Sequence, residues 1–206
     1  MTIDEKDMIN SILASVSRID YIKLEDIPNI ELYMDQVTTF MEEQLASTKR
    51  YEDDKILTKT MINNYAKNNL LPPPVKKKYS REHMLLLVFI YYFKNMLSFH
   101  DIEALFAPIT EGHFMDASGL SLQDIYEEVF SMEYEQMKRL KEDLLRKFHA
   151  SEESFTDQKE DKDYLQLFTF ICALGFDVFL KKQAMEMLID QIREDYPVDH
   201  SKKKKS

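Results

Sequence analysis

The sequence predicts an all-α protein, and two observations support that prediction. Apolar residues recur at intervals of three and four along nearly every segment, which is the spacing of an amphipathic helix. Glycine is scarce, with 3 residues in a chain of 206, and folds built from tight β-hairpins use glycine where φ must be positive. So few glycines also exclude a Gly-rich phosphate-binding loop. The chain is long enough to bury a core of one or two domains.

Three amphipathic helices are predicted in the first third of the chain. Apolar side chains share one face over residues 4–16, and the same pattern recurs over 31–45 and over 56–68. Three consecutive prolines at 72–74 then end helical structure, because proline lacks an amide hydrogen and restricts the residue before it. Residues 75–79 are predicted to form a short strand-like basic loop.

The middle of the chain is predicted to hold a strongly apolar helix over residues 80–97. Ser98 with Asp101 predicts a capping box, in which each residue satisfies a free amide of the other, at the start of a short helix. We expect that helix to end before Pro108, and residues 109–119 to form a loop.

The last third of the chain is predicted to be helical as well. Ser121 with Asp124 predicts a cap for one long amphipathic helix over 121–149. A polar linker over 151–162 follows it. Residues 164–196 are then expected to form either one bent helix or a helical hairpin.

Composition restricts the compartment of the protein. Cys172 is the sole cysteine, which excludes a disulfide framework and a Cys-rich zinc module. The chain does not begin with a basic segment followed by an apolar stretch, as a secretory signal would. The most apolar run, 84–93, spans ten residues, whereas a bilayer crossing needs roughly 20. A second run, 165–180, contains polar residues and is predicted to be a buried helix. We therefore expect a cytoplasmic protein with no membrane segment.

Catalysis has little support in the sequence. The five histidines are scattered, and none lies near a second histidine or cysteine at the spacing of metal ligands. Neighbouring acidic pairs do not share a helix face. Four aromatic residues at helical spacing either line an effector pocket or belong to the core: Phe168, Phe170, Phe176 and Phe179. We expect no enzyme, no metal and no cofactor.

The formal net charge of −10 conceals a basic segment. Residues 1–47 carry 10 acidic and 3 basic side chains, and residues 96–206 carry 23 acidic and 14 basic side chains. Between them, residues 48–95 carry 10 basic and 4 acidic side chains. Such an island is typical of a nucleic-acid surface in an otherwise acidic protein, although a solvated helix face gives the same pattern.

A candidate DNA-binding surface lies within this basic segment. If the apolar residues of helix 56–68 pack inward, its opposite face presents Lys59, Thr60, Asn63, Asn64 and Lys67. Amides can hydrogen-bond base edges and lysines can bind phosphates. Contacts with the sugar-phosphate backbone of DNA are expected from Lys76, Lys77, Lys78, Tyr79 and Arg81. The alternative is that the asparagines are only the polar end and turn of a helix.

The segment from Met61 to Phe106 has a specific order: a helix, Leu-Leu-Pro, a basic loop ending in Tyr-Ser, and two further helices. That order resembles the DNA-binding half of MerR-type transcriptional regulators. The matching positions are Leu70, Leu71, Pro72, Tyr79, Ser80, Ile90 and Ile102. The Arg-Tyr-Tyr of that family falls on residues 63–65 (Asn-Asn-Tyr), and its wing arginine falls on Lys77. The whole chain is also similar to an uncharacterised bacterial family, known mainly as a domain of unknown function.

The MerR resemblance implies a winged helix-turn-helix with a small wing and little or no sheet, followed by a C-terminal helical region. We accordingly expect an N-terminal helix, a MerR-like domain, a loop, a C-terminal association or regulatory region and a disordered tail, over residues 1–24, 25–110, 111–119, 120–198 and 199–206.

The resemblance also implies a function and its partners. We expect a transcriptional regulator that binds double-stranded DNA. Residues 121–149 or the C-terminal helices either pair two copies or pack within one chain. The alternative function is a protein-interaction adaptor that uses the same helical scaffold and its acidic C-terminal half, without binding DNA.

Overall fold

The helices account for most of the computed structural model, which describes residues 5–17, 21–114 and 119–197. Two strands of two residues each and two short 3₁₀ helices complete the secondary structure of this described part, and the all-α class is confirmed. The helices are α1 (Glu5–Val16), α2 (Met34–Gln44), α3 (Lys59–Lys67), α4 (Arg81–Phe93), α5 (Phe99–Gly112), α6 (Leu122–Ser131), α7 (Glu133–Glu152) and α8 (Lys162–Asp195). The strands are β1 (Leu32–Tyr33) and β2 (Lys78–Tyr79).

The chain divides into two compact units. The first unit comprises residues up to 20 and residues 131–184, and the second comprises residues 21–130 and those from 185 onward. The predicted DNA-binding domain stopped at residue 110. The second unit extends through α6, whose Leu122 and Tyr126 are buried in its core, and it includes the end of α8, whose Ile189 is buried in the same core. The predicted tail lies outside the described residues.

The core of the second unit is built around α4. Eight consecutive residues of this helix, His83–Ile90, are buried, as expected of a helix that is apolar on every side. Side chains of α2, α3, α5 and α6 belong to the same cluster. Aromatic rings strengthen the packing: Phe89 lies 5.4 Å from Tyr126 and 5.9 Å from Phe106, measured between ring centroids.

A short sheet joins the segment before α2 to the basic loop. Leu32 pairs with Tyr79 and Tyr33 pairs with Lys78 in an antiparallel ladder. Because these residues are extended, α2 begins at Met34 rather than at the predicted residue 31. The two strands are distant in sequence, so helical periodicity alone gave no indication of this pairing.

The caps predicted from the sequence are confirmed, but one helix end is not. Ser98 Oγ accepts from the Asp101 amide at 3.1 Å, and Asp101 Oδ2 accepts from the Ser98 amide at 3.1 Å. The helix that follows was predicted to end before Pro108, and instead α5 continues through Pro108 to Gly112. A proline removes only one helical hydrogen bond, and Ile102, Ala104 and Phe106 anchor the helix to the core.

The predicted single helix over 121–149 is two helices. Ser121 and Asp124 cap α6 as expected, with Asp124 Oδ2 accepting from the Ser121 amide at 2.9 Å. The helix ends at Ser131, and α7 begins at Glu133. The boundary between the two units falls at this break, so α6 and α7 pack into different cores.

The first unit is a packing of α1, α7 and the first part of α8. Its buried residues are Ile9, Leu144, Phe148 and Phe170. The chain between α7 and α8 is held by Gln166, whose Nε2 donates to the Ser154 carbonyl at 2.8 Å. Residues 162–195 form one helix, which excludes the predicted helical hairpin.

The apolar part of α8 is not buried as predicted. Phe170 is buried, but Phe168, Phe176 and Phe179 are exposed, so three of the four aromatics proposed as core or pocket residues are neither. The helix is long and apolar enough to cross a membrane, judged by length and composition alone. Hydropathy predicted burial because it measures composition and not packing.

Candidate nucleic-acid interface

Helix α3 presents the polar face that the sequence predicts. Thr58 caps it, with Oγ1 accepting from the Met61 amide at 3.2 Å. Ile62 and Tyr65 are buried against the core, and the ring of Tyr65 meets Phe99 edge-on at 5.8 Å. All five predicted face residues are exposed: Lys59, Thr60, Asn63, Asn64 and Lys67.

The end of α3 is tightly specified. Asn69 has φ of 60°, and the Leu70 amide donates to the Tyr65 carbonyl at 2.9 Å, which is the bond that defines a Schellman C-cap. Asn68 Nδ2 donates to the Asn64 carbonyl at 2.8 Å. Asn68 and Asn69 are therefore capping residues, whereas Asn63 and Asn64 keep their side chains on the exposed face.

The predicted wing is a tight hairpin. Val75 and Lys78 form a bridge in which each amide donates to the other's carbonyl, at 3.1 and 2.9 Å. Lys76 and Lys77 are the two turn residues, with φ of 50° and 67°. Two positive φ values in a two-residue loop define a type I′ turn. The turn leaves both lysine side chains exposed at the tip. We refer to residues 75–79 as the wing.

Two of the predicted DNA contacts are corrected by the structure. Tyr79 is 2% exposed and belongs to the core, where its ring meets His83 edge-on at 5.5 Å, so it is not available to a sugar or phosphate. The Arg81 guanidinium is occupied within the second unit. It donates to the Leu24 carbonyl at 2.5 Å and to Gln123 Oε1 at 3.1 Å, which ties the start of α4 to α6.

The remaining residues form what we call the basic surface: Lys59, Thr60, Asn63, Asn64 and Lys67 of α3, with Lys76, Lys77 and Lys78 of the wing. Helix α2 connects its two parts, because α2 packs against both α3 and β2. A helix with a polar, basic exposed face and a basic hairpin therefore both lie against α2. Among the described residues, no hydrogen bond or ion pair joins a side chain of α3 to a side chain of the wing.

Two lysines of the basic surface form ion pairs with acidic neighbours. Lys59 pairs with Asp35 at the start of α2. Lys78 Nζ lies 3.5 Å from Glu31 and 5.6 Å from the centre of the Tyr33 ring. These partners were not predicted, since Glu31 and Asp35 lie outside the basic segment. Within the described part of the chain, Lys67, Lys76 and Lys77 have no ion-pair partner.

The connection between α2 and α3 is long and well anchored. Glu42 pairs with Lys49 and accepts from the Ile56 amide at 3.3 Å, and the Lys49 hydrogen bond holds the pKa of the Glu42 carboxyl below its usual value. Lys94, which directly follows α4, donates to the Ile56 carbonyl at 2.7 Å. These contacts fix the start of α3 on the core, although the connection between the two helices runs over residues 45–58.

His83 is a buried titratable group in contact with Tyr79 of the wing, and the sequence gave no indication of its role. Its Nδ1 accepts from the Ser80 amide at 3.0 Å and so caps α4. Burial lowers the pKa of the His83 imidazole, and the carbonyls of Pro73 and Pro72 oppose that effect. The described residues contain no group of three or more His, Cys, Asp or Glu side chains placed to hold a metal ion.

Taken together, these features define an all-α protein with a basic helix face beside a short basic hairpin. Residues 22–129 match the family model described as domain of unknown function DUF1836, and the chain belongs to this family. The matched range nearly coincides with the continuous part of the second unit, residues 21–130. No curated protein and no solved structure gave a significant match.

Proposed function

We propose that this protein is a transcriptional regulator that binds double-stranded DNA through the basic surface, with α2, α3 and the wing acting as a MerR-like winged helix-turn-helix. One observation carries the proposal. The two turn residues of the wing, Lys76 and Lys77, both have positive φ and both lack an acidic partner in the described part of the chain.

The wing turn is costly for lysine. A side chain in the left-handed region costs on the order of 1 kcal/mol, and type I′ turns strongly prefer Asn-Gly for that reason. Backbone strain of this kind collects at functional sites. Two lysines here place positive charge at an exposed tip at the expense of stability, which is what phosphate binding by a wing requires.

The exposed face of α3 supplies groups suited to a recognition helix. The amides of Asn63 and Asn64 can donate to and accept from base edges in the major groove, where each base pair shows a distinct pattern. Lys67 and Lys59 at either end suit phosphates on the two sides of the groove. DNA phosphates would replace Asp35 as the partner of Lys59, an exchange favoured by the exposure of both side chains.

A protein-interaction adaptor is the alternative, and the exposed apolar side chains of α8 favour it. The two functions differ in what the basic surface does. A regulator needs its lysines to bind duplex DNA, whereas an adaptor does not. A regulator of this kind would work in the cytoplasm, where a bacterial chromosome lies, so we propose a cytoplasmic location as well.

The test is a salt titration of binding to a random-sequence duplex. The observed affinity should fall with salt, with a slope of about −0.9 for each phosphate neutralised. Replacing Lys76 and Lys77 by Ala should therefore make the slope shallower by about 2. The matched control replaces Lys138 and Lys159, two exposed lysines of the first unit, and should keep the wild-type slope.

Two results would overturn the regulator proposal. One is the absence of duplex binding at low salt, which would favour the adaptor. The other is an equal effect of both double substitutions, which would mean that net charge rather than the wing governs binding. If binding is found, selection of genomic fragments with the purified protein should yield a defined sequence, and the Asn63→Ala variant should lose the preference for it.

A further inference from the structure

The first part of α8 carries a continuous apolar surface that no described residue of the first unit covers. Eight large apolar side chains of residues 162–184 are more than a third exposed, and two of them, Phe176 and Leu180, lie on other sides of the helix. The remaining six form the surface: Tyr164, Leu167, Phe168, Ile171, Val178 and Phe179. At about 100° per residue they fall within an arc of about 120° around the helix. The opposite side of the helix holds Gln166 and Phe170, which are buried in the first unit.

The spacing of this surface is that of a helix–helix seam. Positions 164, 168, 171, 175 and 178 alternate steps of four and three, which is the pattern that keeps one stripe facing a partner helix. Gly175 lies in the middle of the stripe, and a Cβ added there would meet nothing within 4 Å. The intrachain packing thus gives no reason for a glycine that costs helix stability, whereas close approach of another helix does.

We propose that this stripe pairs with the same stripe of a second copy, so that the protein is a homodimer through α8. The area supports this occupant. An aromatic side chain can bury 150–250 Å² and an aliphatic one somewhat less, so the exposed parts of the six side chains amount to roughly 700 Å² per copy. A standard specific interface buries about 800 Å² per partner. Isolated exposed apolar residues need no partner, but a patch of this size does.

Charge argues against a lipid surface as the occupant. The segments that make up the first unit, residues 1–20 and 131–184, contain 15 acidic and 11 basic side chains, so anionic headgroups would be repelled rather than attracted. Asp177 also lies within the apolar run, where it pairs with Lys147 at 3.1 Å and Lys181 at 2.8 Å. Insertion of the helix would move these charges into hydrocarbon, at a cost of several kcal/mol.

The dimer proposal does not depend on DNA binding, because it uses only residues of the first unit. A two-fold dimer would suit a regulator that reads a palindromic site. A dimer is nevertheless no evidence for the regulator, since an adaptor can equally be a dimer. Failure of either proposal therefore leaves the other standing.

The test is the molar mass of the full chain in solution, measured by sedimentation over a range of concentrations. The wild type should be a dimer, and Ile171→Glu should raise the dimer dissociation constant more than about 100-fold, because it places a charge in the buried seam. Leu180→Glu is the matched control. Ile171 is 57% exposed and Leu180 is 64% exposed, but they lie on opposite sides of the helix, so the control should remain a dimer.

Three results would overturn the dimer proposal. The first is a monomeric wild type up to about 100 μM, where even an interaction of about −5.5 kcal/mol would be half formed. The second is a dimeric Ile171→Glu variant with a wild-type circular dichroism spectrum, confirmed with Phe168→Glu. The third is a monomer that floats with vesicles of phosphatidylethanolamine and phosphatidylglycerol and loses this binding on Ile171→Glu, since the stripe would then be a lipid contact.

Discussion

Replacing the two turn lysines of the wing by Asn-Gly should make the protein more stable and a weaker DNA binder. Lys76 and Lys77 have φ of 50° and 67°, where each side chain costs on the order of 1 kcal/mol relative to glycine or a well-tolerated asparagine, so the pair costs roughly 2 kcal/mol. Glycine returns about 0.5–1 kcal/mol of that gain as lost chain entropy. The net increase in the free energy of unfolding should be about 1–2 kcal/mol for Lys76→Asn with Lys77→Gly.

Urea denaturation followed by circular dichroism measures this change in the free energy of unfolding. Thermal unfolding gives a second measure, since the Tm of a chain of this size should rise by about 2–4 °C for each kcal/mol. The comparison variant, Lys76→Ala with Lys77→Ala, removes the same two charges but keeps side chains in the left-handed region. It should therefore be no more stable than the wild type, within about 0.5 kcal/mol. Both variants should lose the same part of the salt dependence of duplex binding.

The reasoning fails if the Asn-Gly variant and the Ala-Ala variant are equally stable, since the turn would then store no strain. It also fails if the Asn-Gly variant is stabilised but binds duplex DNA with the wild-type salt slope. In that case the lysines would be strained without being used, and the wing would not be a phosphate contact.

Two further predictions concern groups that support the second unit. Between pH 7 and pH 5.5 the wild type should lose stability relative to His83→Gln, by at most about 1.4 kcal/mol per pH unit. Because burial lowers the pKa of His83 in the folded protein, the unfolded chain binds a proton first as the pH falls below about 6.5. Gln is the chosen replacement because its side chain can still accept from the Ser80 amide. Equal pH dependence of the two proteins in urea denaturation would disprove this. Arg193→Met should cost about 1–2 kcal/mol, because Arg193 Nη2 donates to Asp101 at 2.5 Å in a largely buried pair, and an unchanged urea midpoint would contradict that contact.

Most of the helices could be predicted from the sequence because their apolar spacing is local. The capping boxes at Ser98 and Ser121 were equally predictable, since both partners lie within one turn. The break between α6 and α7 was not, because neither glycine nor proline marks residue 132. It results from packing of the two helices into different units, which is a long-range property.

The basic surface was predictable to the extent that it follows a helical period. The exposed face of α3 follows directly from the burial of Ile62 and Tyr65. The burial of Tyr79 follows from the pairing of β2 with β1, because side chains of a strand alternate between faces. With Lys78 outside, its neighbour must point inward. The ion pairs with Glu31 and Asp35 depend on the pairing of β1 with β2, which no local pattern reveals.

The small number of unpaired lysines would limit the electrostatic part of DNA binding by the proposed regulator. Three lysines of the basic surface lack an acidic partner in the described residues, so the unspecific salt slope should be only about −3, and about −4.5 if Lys59 and Lys78 exchange their carboxylates for phosphates. The net charge of −10 opposes association at longer range. Electrostatic attraction alone is therefore weak, and useful affinity has to come from base contacts. Asn63 and Asn64 are the groups on the exposed face of α3 with the donor and acceptor pairs for that role, so the specificity of a regulator built this way should depend on them more than on its lysines.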